Sequence, residues 1–142
     1  MEKEKVIYAG IFLDERSSAK LENLIPDWIK NQPGYRSVKD RHITVYFHTF
    51  MSDNLVRYMR ENENKHHTIV IDGIGLSNKV IAVRVKSCCS VNGEETPSVN
   101  EKRHITLATF NGGKPVMSND ISLWFDIPQV ELNGIGKTVY SK

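Results

Sequence analysis

Two copies of one five-residue stretch decide the fold: RHITV at residues 41–45 and RHITL at residues 103–107. Aliphatic or aromatic residues follow each copy, which is typical of the start of a β-strand. Strand side chains alternate between faces and rise about 3.3 Å per residue, so the histidine and threonine of each copy share a face about 6.6 Å apart. The isoleucine between them points into a core. The two copies predict a cleft lined by a pair of imidazoles and a pair of hydroxyls, those of His42, Thr44, His104 and Thr106.

The prediction depends on the whole repeated phrase of arginine, histidine, isoleucine, threonine and an aliphatic residue. The shorter pattern His-x-Thr is weak evidence, because it also occurs at residues 66–68. His66 and His67 are expected to lie in a solvated loop, residues 61–67. A duplicated, solvated sheet face is the simpler interpretation of the two phrases, but such a face has no need of the same histidine and threonine twice. Beyond the first phrase, Tyr46 and His48 are expected to continue its polar face.

Composition indicates a globular protein of one domain over residues 1–142. The chain is 39% hydrophobic and 25% charged, with a formal net charge of +2, which is far from the charge of a general nucleic-acid binder. No apolar run is long enough to span a membrane, and the polar start lacks the apolar region of a signal peptide. We therefore expect a cytoplasmic protein (in the host cytoplasm, if viral) whose adjacent Cys88 and Cys89 are free thiols.

The remaining pattern predicts alternating strands and short helices. A buried strand covers residues 6–13, and a helix capped by Ser17 or Ser18 follows, interrupted at Pro26 and carrying Trp28 on its apolar stripe. Ser52 and Asp53 cap a second helix, and residues 71–85 form a hairpin around a glycine-containing turn. Residues 87–101 form a long polar loop, either a lid over the cleft or an ordinary exposed loop. One or two strands over residues 130–140 close the chain.

Two His-x-Thr phrases on strands of a small α+β chain resemble the 2H phosphoesterase superfamily, and the hairpin at residues 71–85 falls where that family has one. The chain's size and the short spacing of the phrases are nearest to compact tRNA-ligase-type cyclic phosphodiesterase domains and to small phage anti-CBASS nucleases that destroy cyclic-nucleotide signals. The resemblance implies an α+β fold in which two pseudo-symmetric lobes of antiparallel sheet, with outer helices, surround a central cleft.

The resemblance also implies that His42, Thr44, His104 and Thr106 are the catalytic residues of a phosphodiesterase. Hydrolysis needs a base and an acid, and two histidines that titrate near neutrality can supply both. The threonine hydroxyls can donate to the non-bridging phosphate oxygens. No metal-ligand spacing and no nucleotide-cofactor fingerprint is present, so neither metal nor cofactor is expected. The near-symmetric phrases do not distinguish acid from base, and analogy with related reactions assigns His104 as base and His42 as acid.

Two further residues are candidates for nucleotide contacts. Tyr8 is either a core residue or a platform for a base, and Glu131 either accepts from a nucleobase amine or simply faces solvent. The expected substrate is a cyclic di- or trinucleotide signal or the 2′,3′-cyclic phosphate of an RNA end, and the small positive charge leans towards the former. The alternative is a non-catalytic nucleotide sensor with the same fold. No membrane and no obligate protein partner is expected.

Overall fold

The computed structural model describes residues 5–141. The polar start on which the expectation about a signal peptide rests lies largely outside this range. The described residues form seven strands, three short α-helices and one 3-10 helix. The elements are β1 (Val6–Leu13), α1 (Glu15–Glu22), α2 (Asp27–Lys30), β2 (Arg36–Ser37), β3 (His42–Phe47), α3 (Asp53–Asn62), β4 (His66–Leu76), β5 (Val80–Ser90), β6 (His104–Thr109), the 3-10 helix (Pro115–Asp120) and β7 (Leu123–Tyr140). No helix among the described residues is long and apolar enough to cross a membrane.

All seven strands belong to one antiparallel sheet in the order β2-β6-β5-β4-β7-β1-β3. The fold is therefore α+β, as predicted. The closing segment is one long strand, β7, which pairs first with β4 and then with β1. The division into two pseudo-symmetric lobes with outer helices stays a prediction.

The strands that carry the two phrases, β3 and β6, lie near opposite ends of the sheet yet come together in space. Only residues 38–41 separate β2, the neighbour of β6, from β3, so the chain itself brings the start of β3 close to β6. The amide of Val38 donates to the Leu107 carbonyl at 3.0 Å, and the amide of Val99, in the loop before β6, donates to the Val45 carbonyl at 2.8 Å. The curvature of the sheet thus places the two phrases side by side.

Both phrase strands carry an irregularity at the same point. In β3, Gly10 and Ala9 of β1 are paired with Thr44 and Tyr46, so one residue of β3 is passed over. In β6, the register shifts in the same way between the partners of Ala82 and Ile81. Such bulges reverse the alternation of faces beyond them. The prediction that Tyr46 continues the face of His42 is therefore wrong: Tyr46 is buried, and Phe47 lies on that face instead.

The first helix differs from the sequence prediction at its N-cap and in the position of Trp28, while the predicted interruption at Pro26 is confirmed. Its N-cap is Asp14, whose carboxylate accepts from the Ser17 amide at 2.7 Å, and Ser17 itself lies within the helix. The helix ends at Glu22, and a separate short helix begins after Pro26. The apolar stripe does not continue across this break, so Trp28 is 55% exposed while Ile29 packs in the core.

The prediction of a solvated His67 is wrong: His67 is fully buried, because β4 begins at His66. Its Nδ1–H donates to the Lys65 carbonyl at 2.9 Å, and its Nε2 accepts from the Tyr58 hydroxyl at 2.8 Å. The Thr96 hydroxyl completes the chain at 2.7 Å from the Tyr58 oxygen. Burial lowers the pKa of His67 and raises that of Tyr58 to about 12, so both stay neutral near pH 7.

This buried series of hydrogen bonds attaches the loop before β6 to helix α3, because Thr96 lies in the loop and Tyr58 on the helix. Further along the same loop, the Ser98 hydroxyl donates to the Thr44 carbonyl at 2.6 Å. The loop thus runs against β3 as a bonded segment. Its neighbours Cys88 and Cys89 are both free thiols.

Candidate active site

A cavity of about 230 Å³ lies between the two phrase strands. The histidine and the threonine of each phrase line it. His42 and Thr44 come from β3, and His104 and Thr106 come from β6. The rest of the wall is mainly apolar. The full set of lining residues is Tyr8, Val38, His42, Thr44, Phe47, Asn100, His104, Thr106, Pro115 and Val116.

Each histidine is held by the backbone two residues before it. Nδ1 of His42 lies 2.7 Å from the Asp40 carbonyl, and Nδ1 of His104 lies 2.9 Å from the Lys102 carbonyl. A carbonyl oxygen only accepts, so Nδ1 carries the hydrogen in both rings. The nitrogen left for a ligand is therefore Nε2, which in the neutral ring has a free lone pair and in the charged ring a proton to give.

Aromatic rings fix His42 from one side. Phe12 stacks on the imidazole with centroids 4.7 Å apart, and the Tyr8 ring lies 5.0 Å away. Gly10, between them on β1, leaves the space for this approach, because a Cβ there would overlap the Ile43 carbonyl oxygen and lie 3.3 Å from the His42 ring. His42 is therefore clamped against β1, which restricts its rotation.

The two histidines differ in their charged surroundings. Burial lowers the pKa of His42, the carbonyl and carboxylate of Asp40 act in the opposite direction, and the charge of His104 lowers it again. Burial also lowers the pKa of His104, opposed only by its bond to the Lys102 carbonyl. A proton on one ring disfavours a proton on the other, so the doubly protonated pair is disfavoured.

The two threonines are equivalent in sequence but not in surroundings. The Thr106 hydroxyl lies 2.7 Å from that of Ser118, in the 3-10 helix, and 3.4 Å from the Pro115 carbonyl. The Thr44 hydroxyl has no such partner among the described residues, although its backbone carbonyl accepts from Ser98. A ligand in the cavity thus meets one oriented hydroxyl and one free hydroxyl.

The arginine of each phrase lies away from the cavity and supports it. Arg41 is only 4% exposed and donates to Glu22 at 2.6 Å and to the Leu107 carbonyl of the second phrase at 3.1 Å. Arg103 forms an ion pair with Glu95 and donates to the Thr96 carbonyl at 3.2 Å. One arginine therefore ties the two phrases to each other, and the other holds the loop that precedes β6.

The two predicted nucleotide contacts occupy different places. Tyr8 is half-buried and lines the cavity beside His42. Glu131 is exposed on β7 and is not among the lining residues; its backbone carbonyl accepts from Lys20 of helix α1 at 3.3 Å. The structure brings Tyr8 together with the four phrase residues and does not bring Glu131 there.

Sequence reasoning missed several residues of this site. Asn100 reaches the cavity from the loop before β6, and Pro115 and Val116 reach it from the 3-10 helix. No motif marks them, because their position depends on loops that cross between distant strands. The polar loop itself, singled out by its length, was the one signal that pointed towards Asn100. Within residues 5–141, no three His, Cys, Asp or Glu side chains cluster as a metal site would require.

Comparison with known proteins identifies the fold but not a family. No family model and no curated sequence matches the chain. Among solved structures, a crystal structure of a fungal RNA kinase matches with a TM-score of 0.63 and 14% sequence identity. The match covers 95% of this chain and 46% of that chain, so this chain spans about half the length of the RNA kinase that it resembles. At this identity the likeness establishes a shared fold.

Proposed function

We propose that this chain is a phosphodiesterase of the 2H phosphoesterase type, which opens a cyclic nucleotide phosphodiester by acid–base catalysis between His42 and His104. The observation that carries the proposal is their common geometry. Both imidazoles line one cavity, both donate Nδ1–H to a backbone carbonyl, and both leave Nε2 for the substrate. A sheet face that served only to be solvated would have no reason to arrange the two rings in this way.

The reaction needs one proton removed and one supplied. Nε2 of the neutral histidine takes a proton from water as the water oxygen bonds to phosphorus, and the phosphorus–oxygen bond of the leaving group breaks. Nε2–H of the charged histidine protonates the leaving oxygen. Thr44 and Thr106 donate hydrogen bonds to the non-bridging oxygens as negative charge accumulates there.

The charges near the two rings favour one assignment of roles. At the position two residues before each histidine, the first phrase has Asp40 and the second has Lys102. Burial and the charge of His104 lower the pKa of His42, and the Asp40 carboxylate opposes them by favouring the charged ring. No carboxylate acts on His104 in this way. We therefore keep the assignment that analogy with related reactions gives, with His42 as the acid and His104 as the base. The ring of His42, clamped by Phe12 and Tyr8, also suits a donor that must point at one leaving oxygen.

The 2′,3′-cyclic phosphate at an RNA end is the substrate that we favour. The cavity, at about 230 Å³, lies below the usual range for ligand sites and suits a single terminal nucleotide with its phosphate. Tyr8, Phe47 and Val116 provide apolar surface for a base or sugar. The protein whose fold this chain shares is named as an RNA kinase, which also acts on RNA.

A cyclic di- or trinucleotide signal is the second candidate. None of the described residues that line the cavity is lysine or arginine, whereas recognition of an extended RNA strand relies on phosphate contacts from such residues. This absence of positive charge favours a small ligand, so the two substrates must be compared directly.

Turnover of a substrate panel in EDTA tests the proposal. The panel consists of 2′,3′-cyclic nucleotides, an RNA with a cyclic-phosphate end, and 3′,5′-linked cyclic di- and trinucleotides. We expect metal-independent hydrolysis that falls by about 10²–10⁴-fold in His42→Ala and in His104→Ala. His66→Ala is the matched control, because His66 is exposed and bonds only to the Asn133 side chain.

The outcomes separate the competing functions. Full activity in either cavity variant would contradict the two-histidine mechanism, and the best substrate in the panel distinguishes RNA-end processing from signal removal. If the wild type binds one panel member tightly and hydrolyses none of them, the protein is a nucleotide sensor and the enzymatic proposal is wrong.

A further inference from the structure

We propose that Ser118 is a positioning residue that orients the Thr106 hydroxyl as a hydrogen-bond donor to the substrate phosphate. The inference rests on the proposed phosphodiesterase function and adds a residue that the repeated phrase does not contain. It follows from the unequal surroundings of two threonines that occupy equivalent positions.

Burial determines the direction of the hydrogen bond between Ser118 and Thr106. Ser118 is 2% exposed, and its oxygen lies 2.7 Å from the Thr106 oxygen. Among the described residues, Thr106 is the one side-chain or backbone acceptor within reach of the Ser118 hydroxyl. A buried hydroxyl left without an acceptor is costly, so Ser118 donates its hydrogen to Thr106.

This donation leaves the hydrogen of Thr106 for another acceptor. The Pro115 carbonyl lies 3.4 Å away, at the long limit of a hydrogen bond, and a phosphate oxygen in the cavity is a better acceptor. A hydroxyl that accepts one hydrogen bond becomes a stronger donor of another, because the bonds polarise each other. The two hydrogen bonds, from Ser118 to Thr106 and from Thr106 to the substrate, therefore end at the phosphate oxygen on which negative charge develops.

The location of Ser118 links this role to the cavity wall. The 3-10 helix that holds Ser118 also contributes Pro115 and Val116 to the lining. Thr44, which lacks an equivalent partner, must be oriented by the substrate itself. The two non-bridging oxygens of the phosphate consequently meet donors of unequal strength.

A double-mutant cycle tests the proposal on the best substrate of the panel. We expect Ser118→Ala to lower kcat by about tenfold with little change in KM, a part of the roughly 10²–10³-fold that removal of a whole donor costs. In the Thr106→Ala background, the same change is expected to have almost no further effect, because Ser118 then has no hydroxyl to orient. Ser118→Cys keeps a donor at the same position, a weaker one on a somewhat larger atom, and is expected to give an intermediate kcat.

The control variant is Ser17→Ala, which removes another buried serine hydroxyl, one that accepts from the Asn133 amide and does not line the cavity. It is expected to lower the melting temperature without changing kcat. An unchanged kcat in both Ser118 variants, or an equal loss from Ser118→Ala with and without Thr106, would overturn the positioning role while leaving the phosphodiesterase intact. If the folded wild type hydrolyses no panel member, the proposed function falls and the role of Ser118 falls with it.

Discussion

Replacement of Arg41 by methionine tests the connection between the two phrases. The guanidinium of Arg41 bonds to Ser18, Glu22 and Ser37 on one side and to the Leu107 carbonyl, one residue after Thr106, on the other. Methionine keeps most of the side-chain volume and removes every donor. The change therefore separates the hydrogen bonds of Arg41 from its packing.

The groups that lose Arg41 as a hydrogen-bond partner determine how far the free energy of unfolding falls. The buried Leu107 carbonyl keeps the Val38 amide as a donor but loses its hydrogen bond to a charged group, a bond worth about 1.5–3 kcal/mol. The carboxylate of Glu22 is 40% exposed and can be rehydrated, so the loss of its ion pair adds about 1 kcal/mol. Nε of Arg41 has no partner in the native protein, and its removal costs nothing. We expect the free energy of unfolding to fall by about 2–4 kcal/mol and the melting temperature by about 6–15 °C.

Urea denaturation measures the stability, and turnover below the melting temperature measures the site. We expect kcat to fall in the folded Arg41→Met protein, because β3 and β6 lose a link beside both histidines. Arg57→Met is the control: its pair with Glu61 is exposed and spans one helical turn, so its loss costs no more than about 0.5 kcal/mol. Equal stability of the two variants would refute the reasoning.

Three further predictions concern the buried Tyr58 hydroxyl, His67 together with the two cavity histidines, and Asn100 in the loop before β6. Tyr58→Phe leaves His67 Nε2 and the Thr96 hydroxyl without their partner, so urea denaturation is expected to show a loss of about 2–4 kcal/mol; the exposed Tyr140→Phe should show almost none. Because burial lowers the pKa of His67 and of both cavity histidines, the unfolded chain binds more protons below about pH 6.5 and stability should fall from pH 7 to pH 5; a flat profile of the unfolding free energy over this range would contradict it. Asn100→Ala should raise KM several-fold while kcat stays within about threefold, because Asn100 lines the cavity without being assigned a proton-transfer role; steady-state kinetics that show the reverse split would exclude this binding role.

The parts of the fold that could be predicted from the sequence depend on local periodicity. The phrase strands, the β4–β5 hairpin and the helix capped by Ser52 were all recognised correctly. The errors arise where one residue changes the period. The bulge in β3 moves Phe47 into the cavity in place of Tyr46, and the break at Pro26 turns Trp28 out to solvent.

His67 shows a different limit of sequence reasoning. In sequence it is one of two adjacent histidines at the end of a polar stretch, a pattern that favours solvent. Its burial depends on Tyr58 and Thr96, which lie on a helix and a loop distant in the chain. A polar residue becomes a core residue when distant partners satisfy its hydrogen bonds, and no local pattern reports such partners.

By itself, the sequence determined that each phrase presents a histidine and a threonine on one face of a strand, because strand geometry has a period of two residues. It did not determine that the two faces meet. The sheet order, its curvature and the Arg41–Leu107 bond decide that. The segments on either side of β6 then place Asn100 in the cavity wall and Ser118 against Thr106. The difference between the two threonines is likewise tertiary, since nearly identical phrases acquire different neighbours only when distant segments pack against them.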